Sequence, residues 1–111
     1  EETRAMKEGL DEETLAIFDL LRKPELSKKE EEDVKKVAIK TLATLKEEKL
    51  KIERWWESTQ VTSQVKTMIR DQLDWLPQEP YPDEELLIRS NSVYQHIYSN
   101  YRGGTGDAYA L

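Results

Sequence analysis

Apolar residues along this chain fall in four bursts with three- and four-residue spacing, separated by short polar or proline-rich stretches. That period is the mark of amphipathic helices. In the first burst Leu15, Phe18, Leu20 and Leu21 cover one broad face. Asp11 is placed to accept a bond from a free first-turn N–H. Glu12 and Glu13 suit the positive end of the helix dipole, and Leu10 and Leu15 form a candidate hydrophobic staple. Pro24 stops this helix, because it lacks an N–H and disfavours a helical Lys23.

The second burst opens on a capping box, Ser27-Lys28-Lys29-Glu30, in which each end satisfies a free N–H of the other. Val34, Val37, Ala38, Thr41, Leu42, Leu45 and Ile52 then recur at helical steps. The run predicts one rod of about 40 Å reaching Trp55 or Trp56. Glu31–Lys35, Glu32–Lys36 and Glu47–Lys51 are acid-before-base pairs four residues apart, each worth about 0.2–0.5 kcal/mol. The third burst starts at Ser58-Thr59-Gln60 and carries Val61, Val65, Met68, Ile69, Leu73 and Leu76 as far as Pro77. Prolines 77, 80 and 82 stiffen the connector that follows. Asp83 is placed to cap a fourth helix, which buries Leu86, Leu87, Val93, Tyr94, Ile97 and Tyr101. Gly103 and Gly104 offer the left-handed backbone that ends helices.

Strand patterns and internal repeats are absent from the sequence. The expectation is all-α: a compact bundle of about four helices with one long central helix as its spine. A single helical domain is expected over residues 11–102. A polar, frayed lead-in precedes it over 1–10, and a flexible glycine-rich tail follows over 103–111.

Composition narrows the class further. Charged residues make up 36% of the 111, against roughly 25% in an average domain. Leu, Ile, Val and Phe supply a little over a fifth of the chain, just above the roughly 20% floor below which disorder prevails. A fold is affordable, with a modest core. The net charge of −6 argues against a general nucleic-acid glue, which carries a basic excess, but leaves room for a local basic stripe. The absence of cysteine excludes disulfides and thiolate chemistry and fits a cytoplasmic setting. No apolar run approaches the roughly 20 residues of a membrane span, and no signal-peptide pattern is present. Glu1 rather than methionine opens the sequence, as an excised or processed segment would.

Catalytic chemistry finds few footholds. Pro82-Asp83 has the look of a nuclease opening, but that chemistry needs carboxylates and a lysine converging on a magnesium ion. The only upstream Glu-x-Lys, Glu47-Glu48-Lys49, lies on a helix and in the wrong order. Gly103-Gly104-Thr105-Gly106 lacks the lysine and the flanking strand and helix of a phosphate cradle. His96 is the sole histidine, so no zinc set of His and Cys can be assembled; it is expected at the edge of the last helix's packed face. The run Glu30-Glu31-Glu32-Asp33 occupies first helical turns, where negative charge is stabilising.

Two surface features stand out. On a helical wheel Lys29, Lys36, Lys40, Lys51 and Arg54 share one sector of the second helix, opposite the Val34–Leu45–Ile52 seam. Asp33 and Glu47 are interleaved with them. This sector reads as an ordinary solvated face, or as a stripe meeting DNA phosphates or an acidic partner. The second feature is the aromatic supply of Trp55, Trp56, Trp75, Tyr81, Tyr94, Tyr98 and Tyr101. Core and junction packing accounts for most of them. Adjacent tryptophans on a helix cannot both point inward, so Trp55 or Trp56 is the candidate interface anchor unless the helix breaks there.

Several blocks also occur in an order that resembles the C-terminal helical domain of type I restriction enzyme R subunits. They are Leu-Ala-Ile-Phe-Asp-Leu-Leu at 15–21, Val-Lys-Lys-Val-Ala at 34–38, Trp55-Trp56, Val-Lys-Thr-Met-Ile at 65–69, Leu76-Pro77, Val-Tyr-Gln-His-Ile at 93–97 and the glycine-rich ending. None is a catalytic motif. The resemblance implies a non-catalytic module of a larger ATP-dependent DNA translocase and endonuclease. ATP and Mg would then serve other domains of the parent chain, and no cofactor or metal would bind here. Implied partners are the methyltransferase and specificity subunits and the preceding motor and nuclease domains. The alternative is a module that contacts translocating DNA through the lysine stripe; a third reading is a self-associating helical protein.

Overall fold

A computed structural model describes residues 6–102, and these are all-helical apart from turns and connectors. The described residues hold four helices of ten residues or more: α1 over Glu12–Leu21, α2 over Lys28–Leu45, α3 over Thr59–Leu73 and α4 over Asp83–Asn100. Each packs on its sequence neighbour, and α1 closes on α4. The Cα positions span 39 × 33 × 18 Å, about two helices thick. The all-α bundle expected from periodicity is therefore the fold. Residues 1–5 and the glycine-rich ending at 103–111, with its expected helix stop at Gly103 and Gly104, lie outside the described residues.

The caps explain where the first three helices begin. The Asp11 carboxylate accepts from the Thr14 N–H at 2.7 Å, and this bond holds its pKa below the usual carboxylate value. The capping box closes in both directions: Glu30 N–H donates to Ser27 Oγ at 3.1 Å, and Ser27 N–H to Glu30 Oε1 at 2.9 Å. Ser58 Oγ accepts from the Val61 N–H at 3.1 Å. At α4 the expectation fails in detail. Pro82 occupies the cap without a side-chain bond, and Asp83 is the first helical residue beside Glu84 and Glu85. The three carboxylates there act through charge at the helix N-terminus.

The spine departs from a straight rod. After Leu45 the helix widens into a π turn, Lys46–Leu50, then unwinds through residues 51–54. Arg54 adopts φ 56°, ψ 38° in the left-handed region, an uncommon state for a residue with a side chain. A 3₁₀ turn, Trp55–Glu57, follows. The bend removes Ile52 from the seam assigned to it, leaving it exposed, and the Glu47–Lys51 spacing no longer lies on a regular helix. It also turns Trp55 inward. Lys35 pairs with Glu8 at 2.9 Å and Glu32 at 3.5 Å, and Glu31 reaches Arg22 at 3.8 Å. The expected Glu31–Lys35 and Glu32–Lys36 pairs thus give way to a Lys35–Glu32 pair three residues apart on the same helix and to partners outside it, Glu8 for Lys35 and Arg22 for Glu31.

Ile17, Phe18, Leu21, Val34, Ala38, Val65, Ile69, Leu73, Val93 and Ile97 are sealed from solvent at the centre of the core. Long-range hydrogen bonds lock its ends, two at each. The Tyr81 hydroxyl donates to the Leu21 carbonyl, and Arg89 Nη1 donates to the Leu20 carbonyl at 2.9 Å, so the exposed carbonyls at the end of α1 are satisfied from the other half of the chain. At the opposite end Trp55 Nε1–H donates to the Tyr101 carbonyl at 2.6 Å, and the Tyr101 hydroxyl donates to Glu13 Oε1 at 2.7 Å. Residues 6–10, assigned to a lead-in, form a helical turn closed by Gly9 N–H on the Met6 carbonyl, and Leu10 packs against the core. Leu87, assigned to the buried face of α4, is instead exposed. No helix among the described residues is long and apolar enough to cross a membrane.

Candidate functional site

Among the described residues the most exposed aromatic side chain is Trp75, 79% exposed. Its position follows from how α3 ends. The last turn tightens, with Trp75 N–H on the Gln72 carbonyl at 3.1 Å and Leu76 N–H on the Leu73 carbonyl at 3.0 Å. Leu76 continues the Val65–Ile69–Leu73 seam into the core, which forces its immediate neighbour outward. Trp75 then overhangs a groove of about 410 Å³ between α2 and the end of α3, lined by Asp33, Lys36, Val37, Lys40 and Gln72.

Three of the five stripe residues remain together. Lys29, Lys36 and Lys40 stay on the exposed side of α2, with Lys29 3.8 Å from Asp33. The π turn and the left-handed Arg54 carry the other two away. Lys51 and Arg54 line a separate depression with Ile52, Trp56, Glu57 and Arg102. There Arg54 Nε and Nη2 each donate to a Glu57 carboxylate oxygen at 3.0 Å. This carboxylate raises the Arg54 pKa further.

The tryptophan pair separates as well. Trp55 is 1% exposed, stacked edge-on against Tyr98 and Trp56, and its N–H is committed to Tyr101. It is a core residue, unavailable as an interface anchor. Trp56 is half-buried at the rim of the Arg54 depression. Sequence reasoning placed Trp75 among the aromatics without marking it as exposed. The signal was present in the helix phase: a residue one step before Leu76 cannot share the seam that Leu76 continues.

His96 lies where expected, half-buried on the edge of α4, with Asn100 Nδ2 3.2 Å from its Nδ1. Burial pushes its pKa down. No group of three or more His, Cys, Asp or Glu residues among the described ones is arranged to hold a metal ion. What the Trp75 groove offers is recognition: an aromatic face beside two ammonium groups, with one carboxylate on the rim. Such a surface suits an acidic partner segment that brings an apolar residue to the indole. Comparison with protein-family models, curated proteins and solved structures finds no match to this chain.

Proposed function

We propose that this chain is a non-catalytic helical assembly module of a type I restriction enzyme R subunit, docking that subunit on the methyltransferase–specificity core. The ordered sequence blocks point to the family, and the Trp75 groove carries the docking role. Exposing a tryptophan on a domain with so modest a core places large apolar area in water, and covering it on a partner recovers that area. Lys36 and Lys40 would fix the orientation of an acidic segment on the indole. ATP and Mg chemistry belongs, in this reading, to other domains of the parent chain.

The test is a pull-down of purified methyltransferase–specificity complex by this domain. Retention at low salt, lost on Trp75→Ala, is the expected result; failure of the wild-type domain to retain the complex overturns the proposal. A DNA-contacting role is the second reading, favoured by Lys29, Lys36 and Lys40 sharing one exposed face. It requires an affinity for duplex DNA that falls steeply with salt, and binding that is salt-insensitive or undetectable removes it.

A further inference from the structure

From Lys28 to Leu76 the chain contains neither glycine nor proline, so no residue in that stretch forces a helix to break. Continued at about 100° per residue, Ile52 and Trp56 fall on the same sector as Val34, Ala38 and Leu45. The fold replaces this register with a π turn, Lys46–Leu50, and a left-handed Arg54, the one residue other than glycine with a positive φ among those described. Such backbone is unfavourable for a residue with a Cβ, and the strain persists only where surrounding contacts enforce it. Here the enforcing contact is Trp55, sealed in the core with its N–H on the Tyr101 carbonyl. The bend leaves Ile52 exposed and Trp56 half-buried.

The same bend divides the molecule into two helical hairpins, α1–α2 before it and α3–α4 after it, each packed internally. The bonds from Tyr81 to Leu21, Arg89 to Leu20, Lys23 to Pro80 and Tyr101 to Glu13 all join one hairpin to the other. Contacts of that kind form equally well between two copies. We propose that residues 46–57 are a hinge and that two copies of this chain exchange their C-terminal hairpins, α3 and α4 of each packing on α1 and α2 of the other. In the exchanged form the hinge straightens, α2 runs on toward α3, and Arg54 takes up helical backbone. Short connections held under strain invite this exchange. The two straightened hinges lie side by side at the two-fold axis, where Ile52 and Trp56 cover their counterparts. The four basic and four acidic residues of 46–57 cancel, so the hinges meet without the repulsion expected of a chain carrying −6. That neutrality, and the reuse of every bond between hairpins, select a second copy over another partner. The proposal does not depend on the restriction-enzyme reading.

Refolding the intact chain from urea at micromolar and at millimolar concentration, with the mass of each product read by light scattering, tests the exchange. A species of twice the monomer mass should grow with concentration, as mass action requires. It should persist on dilution, because reversal needs the hairpins to separate. In a dimer of carbon-13-labelled and unlabelled chains, isotope-filtered NMR should find Tyr81–Leu21 contacts passing between copies. Arg54→Gly removes the left-handed penalty from the bend and weakens the straight helix, so the association constant should fall about tenfold or more. Trp55→Phe keeps a ring but loses the bond to Tyr101, and should raise it. A chain that stays monomeric at millimolar concentration overturns the proposal. So does a dimer whose Tyr81–Leu21 contacts remain within one copy, or an Arg54→Gly dimer as tight as wild type.

Discussion

Tyr81 and Leu21 stand sixty positions apart in sequence, yet the phenol hydroxyl of one caps the main-chain carbonyl of the other. The ring is sealed in the core, and Lys23 lies over its face 5.5 Å from the centre while donating to the Pro80 carbonyl at 2.7 Å. The proline-rich connector is thereby fastened to the end of α1. Burial pushes the Tyr81 pKa up to about 12.

Raising that pKa in the folded state ties stability to pH in a defined direction. The neutral phenol is favoured by folding, so its contribution is complete below the unfolded value near 10 and is lost as pH climbs from about 10 to about 12. The loss should be on the order of 2 kcal/mol. Urea unfolding at pH 8, 10 and 11.5 measures it. Tyr81→Phe should cost about 1 kcal/mol at neutral pH and flatten this alkaline decline; an undiminished decline in the variant refutes the assignment.

The two tryptophans at the bend should differ sharply. Trp55→Ala opens a cavity and strips the Tyr101 carbonyl of its donor, at a cost of about 3–5 kcal/mol, enough to threaten folding. Trp56→Ala, at a half-buried site, should cost less than about half as much. Chemical denaturation of both variants reports the order. Equal losses would mean that the bend does not place them as described.

Thr41 is fully buried on α2, and its Oγ1 meets no hydrogen-bond partner among the described residues. Thr41→Val keeps the shape and removes an unanswered hydroxyl, so stability should rise by about 1 kcal/mol. A lower melting temperature for the valine variant would show that the hydroxyl has a role.

Removing the Ser27 side chain breaks the half of the capping box that Ser27 Oγ accepts and leaves the Ser27 N–H on Glu30. Ser27→Ala should cost about 1 kcal/mol, and Asp11→Ala a comparable amount at the start of α1. The Asp11 contribution has its own pH dependence: with its pKa lowered by the Thr14 N–H, it is complete above the ordinary aspartate value of 3.8 and fades as pH falls below it. Melting curves from pH 7 down to pH 2 check both statements, and an Asp11→Ala penalty undiminished at pH 2 contradicts the second.

Trp75→Ala should leave stability within about 0.5 kcal/mol of wild type, as for exposed sites, while removing the indole from the groove proposed for docking. Thermal melting paired with binding to the proposed partner, a methyltransferase–specificity core, separates the two effects. A large drop in melting temperature would make Trp75 structural and withdraw it from the interface.

Sequence alone determined the helices, because period, capping boxes and proline stops are local: Ser27, Ser58 and Pro24 act on backbone groups within a few residues of themselves. It also determined which of Lys29, Lys36 and Lys40 share a face, since α2 is regular there. Tertiary structure decided what happens where local preference and packing compete. The chain tolerates a π turn and a left-handed Arg54 because that bend seats Trp55 on Tyr101, forty-six positions away, and no local rule contains that contact. The same bend scattered Lys51 and Arg54 from the stripe. The neighbourhood of Trp75 was set likewise by the packing of α3 against α2, where side chains distant in sequence first come within reach of one another.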